Sequence, residues 1–259
     1  MISAYRVLER VKMVSPTGFQ FVDDVTGAGI KDGLEAQAFS MADPYVRTFA
    51  KGGGSGYCRF ARFPQVRPRV SVTDLLGRFL PLQFDGGSVE SGGEVRLFSA
   101  PQRAPVFGLA TARAFLRDAD TGLPGAWSLL RLSRNGATWT GLSDARGSVV
   151  VTLPYPEPSP ATVHSILGGT PLPLHRQHWG FEVSVRYRRW VDPAEIPSAP
   201  LREDLAGLAA GHVWFDGTKT AEFPIANLEY GQELILRSRD AGGYEMSELL
   251  ITPQGGINA

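Results

Sequence analysis

The chain contains one cysteine, Cys58, in 259 residues. No intramolecular disulfide can form, which excludes a disulfide-stapled secreted domain, and Cys58 reads as a small buried hydrophobe. Net charge is also missing: 26 basic residues balance 26 acidic ones. That removes the general electrostatic pull towards nucleic acid or anionic membrane that a basic chain would have. No apolar run approaches the roughly 18–20 residues that cross a bilayer, so membrane insertion is not expected. The opening "MISAYRVLERVKM" has charges within its first dozen residues and no apolar core with a small-residue cleavage site. It does not read as a secretory leader, and a cytoplasmic location is expected.

Catalytic and metal signatures are equally scarce. There is no Gly-x-Ser-x-Gly elbow, and Cys58 has no histidine near it in sequence. His175 and His178 sit three apart in "HRQHWG", but zinc needs three or four protein ligands and no further cluster completes the set. "KGGGSGY", Lys51 to Tyr57, lacks the Gly-Lys-Ser/Thr ending and following helix of a phosphate loop, so it reads as a turn. Arg59, Arg62, Arg67 and Arg69, interleaved with Tyr57, Phe60 and Phe63, imitate a nucleic-acid strip; with zero net charge they read as a solvated strand face or protein interface. No cofactor is expected.

What the chain has in quantity is punctuation, with 30 glycines and 19 prolines at short intervals. Long helices are excluded, and many short strands joined by turns are favoured. In "FEVSVRYRR", Phe181, Val183, Val185 and Tyr187 alternate with polar residues, the pattern of a half-buried antiparallel strand. "YRVLERVKMV", "GLEAQAFS", "RVSVTD", "ARAFLRDA", "WSLLRLS", "ATWTGLSD", "SVVVTLP", "HVWFDG" and "ELILRS" are further candidates. The one helical stretch is "PLREDLAGLAAG", with Pro200 before it and Gly211 after it. "GQELILRSRDAGGYEMSELLITP" reads as a hairpin turning at Ala241-Gly242-Gly243.

A repeat organises these strands. Asp23, Thr26 and Gly27 form Asp-x-x-Thr-Gly, followed by Leu34; Asp118, Thr121 and Gly122 form the same motif, followed by Leu129. The two units lie 95 residues apart. The motif suits a strand ending in a turn, where Asp caps free amides and Gly takes a positive φ. A ligating role for Asp23/Asp24 or Asp118/Asp120 towards Ca²⁺ is the alternative. Asp144 and Gly147, in "SDARGSVVV", make a second kind of corner before a valine-rich strand. The expected fold is all-β: two tandem antiparallel β-sandwiches, residues 1–104 and 105–190, then a C-terminal helix and β-rich docking tail, 191–259.

The second unit, residues 109–190, resembles the carboxypeptidase-regulatory-like domain, a transthyretin-like β-sandwich module. Asp118, Thr121, Gly122 and Pro124 match its first turn, Ala126 and Leu129 the following strand, and Asp144 with Gly147 its hairpin. Residues 1–100 are a diverged copy, because their other Asp-x-x-Gly, Asp74 to Gly77, lies 70 residues before Asp144 rather than 95. The whole pattern resembles accessory components of phage-tail-like contractile injection particles. That resemblance implies a non-enzymatic structural subunit whose partners are other protein subunits, including copies of itself. Arg186, Arg188, Trp190, Leu249, Leu250 and Ile251 are the candidate partner interface. A carbohydrate-binding or adhesive surface module is the alternative, and an uncharacterised hydrolase a third reading.

Overall fold

The computed structural model describes residues 17–43, 45–51, 56–64, 66–90, 92–157, 177–190 and 199–254. "YRVLERVKMV", most of "KGGGSGY", His164 and His175 lie outside them. The protein is all-β, with sixteen strands in several sheets among the described residues. The only helix among the described residues, α1 (Arg202–Ala206), is far shorter than "PLREDLAGLAAG" suggested, because the chain leaves the helix at Gly207.

Seven strands make the first unit: β1 (Thr17–Asp23), β2 (Leu34–Ser40), β3 (Arg47–Lys51), β4 (Tyr57–Phe60), β5 (Pro68–Asp74), β6 (Leu82–Asp85) and β7 (Glu94–Leu97). They form a three-stranded sheet, β4-β1-β7, and a four-stranded sheet, β3-β2-β5-β6. Alternation decides which side chains meet between them: in β2, Leu34, Ala36 and Ala38 are buried while Glu35, Gln37 and Phe39 are only partly so. Phe19 of β1 meets Phe84 of β6 edge-on at 5.2 Å between ring centres, which joins the two sheets. Cys58 lies in this core, fully buried. Phe60 is buried and Phe63 packs against the same core, so the aromatic members of the Tyr57–Arg69 strip point largely inward.

The second unit uses β8 (Leu109–Asp118), β9 (Leu129–Arg134), β10 (Ala137–Leu142), β11 (Ser148–Pro154), β12 (His178–Arg186), β13 (Ala210–Trp214), β14 (Ala226–Glu229), β15 (Leu234–Leu236) and β16 (Leu249–Pro253). They run in the order β10-β9-β12-β13-β16-β8-β11, with β14 beside β12 and β15 beside β8. This sheet curls until its end strands, β10 and β11, come together around a core from Ala110 to Ile251.

Strand neighbours correspond between the units. β1 has β4 antiparallel on one side and β7 parallel on the other. β8 has β11 antiparallel and β16 parallel. β2 lies between β3 and β5, as β9 lies between β10 and β12, all antiparallel. In the second unit the β13–β16 pairing joins what are two separate sheets in the first.

The 191–259 stretch is divided between the two cores. Leu205 of α1 and Leu208 enter the first. Asp85 N–H donates to Glu203 Oε1 (2.9 Å), and Gln83 N–H to the Pro200 carbonyl (3.0 Å), so the stretch covers the edge of β6. β13 to β16 belong to the second unit. The turn expected at 241–243 is present, closed by Asp240 N–H to the Tyr244 carbonyl at 2.8 Å. Next to the turn the two arms pair as expected, Ser238 N–H donating to the Glu248 carbonyl and Met246 N–H to the Ser238 carbonyl, both at 2.8 Å. Farther out the apolar ends part, and β15 and β16 both run parallel to β8, where Leu236, Leu249 and Ile251 join the second core.

Candidate functional site

Local geometry first settles what the aspartates do. Eight of them, Asp23, Asp43, Asp74, Asp85, Asp118, Asp144, Asp216 and Asp240, accept the backbone N–H two residues further on at 2.8–3.4 Å. These carboxylates therefore replace the backbone partner that a turning strand loses. Gly27, Gly122 and Gly147 have φ of 67°, 70° and 84°, the left-handed region that closes the turns.

Asp23 and Asp118 do more. Arg103 Nη1 and Nη2 grip Asp23 at 2.9 and 2.7 Å, while Thr26 Oγ1 donates to it at 3.0 Å. Asp118, fully buried, accepts Tyr187 Oη–H at 2.8 Å and the N–H groups of Asp120 and Thr121 at 2.9 and 3.1 Å, besides two hydrogen bonds from Arg189. Arg189 also pairs with Asp120, and Lys219 with the other Asp120 oxygen. Burial acts to raise both carboxyls, but these donors outweigh it and hold Asp23 and Asp118 below the usual range. Tyr187 is pushed above a phenol's usual value by burial and by Asp118. Carboxylates so fully occupied have neither a proton to give nor a free lone pair for substrate.

Of the sequence's partner candidates, Leu249, Leu250 and Ile251 need correction. They are interior, with Leu249 and Ile251 at 0% exposure, because β16 is a central strand paired on both sides. Arg188 bonds Asp204 at 2.9 Å and lies over the Trp190 ring at 3.9 Å. Trp190 Nε1–H donates to the Ala126 carbonyl. This pair joins α1 to the second unit. Arg186 makes no ion pair among the described residues.

A cleft of about 580 Å³ opens between the units. Asp24, Arg96 and Phe98 line it from the first, and Arg131, Trp139 and Thr140 from the second. Arg96 lies 3.6 Å from Asp24, whose carboxyl is nonetheless raised, chiefly by burial. Arg131 Nε is buried without a hydrogen-bond partner. Burial and then the charge of Arg186 pull its pKa below the usual arginine value. Sequence reasoning passed over Arg131; its one signal was a charge inside the apolar run "LLRL", which alternation accounts for equally well.

The two described histidines each face a glutamate, His178 facing Glu229 at 3.6 Å and His212 facing Glu222 at 2.8 Å. Among the described residues no group of three or more His, Cys, Asp or Glu side chains could hold a metal ion. No helix there is long and apolar enough to cross a membrane.

No family model matches the chain, and no curated protein matches it. Among solved structures it is similar to GBS52, the minor pilin of the Gram-positive pathogen Streptococcus agalactiae, at 8% identity and a TM-score of 0.25, over 94% of this chain and 99% of that one. At that level the likeness carries no argument, and the functional reading rests on the chain's own geometry.

Proposed function

We propose that the protein is a non-enzymatic structural subunit of a larger protein assembly. The finer reading, a phage-tail-like contractile injection particle assembled in the cytoplasm, rests on the sequence resemblance alone. One observation favours a subunit: apolar side chains crowd the surface at one end of the four-stranded sheet. Tyr45 is 94% exposed and Phe49 63%, with Met41, Val46 and Val66 also exposed. Backbone pairing brings most of them together, since Ser40 N–H donates to the Val46 carbonyl and Met41 N–H to the Arg67 carbonyl. β3 ends that sheet's strand order, and an apolar sheet end is a surface that subunits cover.

Size-exclusion chromatography with light scattering tests this on the full chain. Self-association, or co-sedimentation with a host particle whose sheath and tube proteins are identified by mass spectrometry, is expected, and Tyr45→Ser with Phe49→Asp should abolish it. A monomer found in no particle overturns the reading.

A further inference from the structure

Among the described residues, three partly buried arginines clasp buried carboxylates. Arg78 clasps Asp74, Arg103 clasps Asp23 and Arg189 clasps Asp118. Arg131 differs from them: its Nε is buried with no acceptor, and it has no ion-pair partner among the described residues. Its cross-strand neighbours on β10 and β12 are Thr140 and Ser184, neither of them acidic. The nearby Arg186 adds a second unneutralised positive charge. One N–H of the Arg131 guanidinium is thus without an acceptor and no carboxylate neutralises its charge, while its planar fork matches a carboxylate.

The rest of the cleft describes what carries that carboxylate. Its volume lies within the roughly 300–1,000 Å³ of small-molecule sites. Thr138, Thr140 and Thr152, residues whose hydroxyls can donate and accept, lie in the lining, and so do the aromatic residues Phe98 and Trp139. Hydroxyl groups beside an aromatic surface suit a ring with alternating O–H and C–H groups. Asp24, in the same lining, disfavours a doubly charged anion such as phosphate.

We propose that the cleft between the two units binds a small acidic sugar, a uronic acid, with Arg131 taking its carboxylate and the threonine hydroxyls taking its ring hydroxyls. This goes beyond the subunit reading and does not depend on it: the site exists in a single copy of the chain, so its failure leaves that reading intact.

Isothermal titration of the full-length protein with glucuronate, glucose and acetate tests the proposal. Saturable binding of glucuronate is expected, with glucose and acetate each at least tenfold weaker. Arg131→Gln should weaken glucuronate at least tenfold while the thermal midpoint stays level or rises, since an unsatisfied cation has been removed; a purely structural arginine would lower it. Thr140→Val keeps the guanidinium, and should weaken glucuronate while leaving acetate unchanged. No saturable glucuronate binding, undiminished binding in either variant, or acetate as tight as glucuronate would overturn the assignment.

Discussion

Arg189 lies across Asp118, with Nε 2.7 Å from Oδ2 and Nη2 3.1 Å from Oδ1, and so locks the end of β8 to the segment that follows β12. Arg103 does the same to Asp23 at the end of β1, but it comes from the segment after β7. Equivalent turns are thus held by arginines from non-equivalent places. The Asp-x-x-Thr-Gly turn supplies a buried carboxylate, and each unit has met its need for a counter-charge separately.

Replacing Asp118 with Asn should be strongly destabilising. The amide keeps the shape but removes the charge facing Arg189 and leaves a donor towards Tyr187 Oη. Breaking one side of a buried pair costs about 3–5 kcal/mol. Chemical denaturation of D118N, and of D118N combined with Arg189→Met, measures the coupling. A loss within a few tenths of a kcal/mol would remove the clamp from the account.

Acid should weaken the fold through the same two carboxyls. Asp23 and Asp118 are depressed below 3.8 when folded, so each contributes stability that is full above that value. The contribution fades as the pH falls through the lower folded values. Denaturant midpoints should therefore decline as pH drops below about 4, and the decline should be shallower in D118N. An identical acid limb in variant and parent would contradict this linkage.

Gly147 and Gly122 share a positive φ but differ in surroundings. A Cβ at Gly147 would run into the Leu116 carbonyl oxygen, whereas one at Gly122 would meet nothing within 4 Å. Gly122→Ala should cost about 1–2 kcal/mol, the left-handed penalty alone. Gly147→Ala should cost clearly more, because the β8 backbone must also move. Equal unfolding free energies would show that β8 can yield.

Ile251 tests where the C-terminal strands belong. It is fully buried in the second core, so Ile251→Ala should lose about 2–5 kcal/mol. Deleting 201–259 should then unfold the second unit instead of merely detaching a docking tail. Proton NMR of the truncated chain reports this directly: a dispersed second-unit spectrum would contradict the pairing of β16 with β8.

Cys58 should resist thiol reagents in the native protein. It is fully buried, and burial pushes its pKa to about 11, so thiolate is scarce at mildly alkaline pH. Labelling should follow global unfolding by denaturant. Rapid native labelling would mean that the first core opens locally.

The sequence by itself determined what depends on near neighbours. Asp144 accepts N–H groups two and four residues away, Gly147 follows at a positive φ, and both are visible as "DARG" before a valine-rich run. The alternation of β2 and β12 and the dense glycine and proline likewise made the all-β class legible, because strand period and turn chemistry act over a few residues. Only the tertiary structure decided that Asp23 meets Arg103 and Asp118 meets Arg189, across 80 and 71 residues. Nothing local separates those arginines from Arg131, which has no ion-pair partner among the described residues. The same limit hid the fate of Leu249 to Ile251, since an apolar strand has the same pattern whether it faces a partner or its own core. Charge pairing and burial are set by what the rest of the chain brings alongside, and that is fixed by topology.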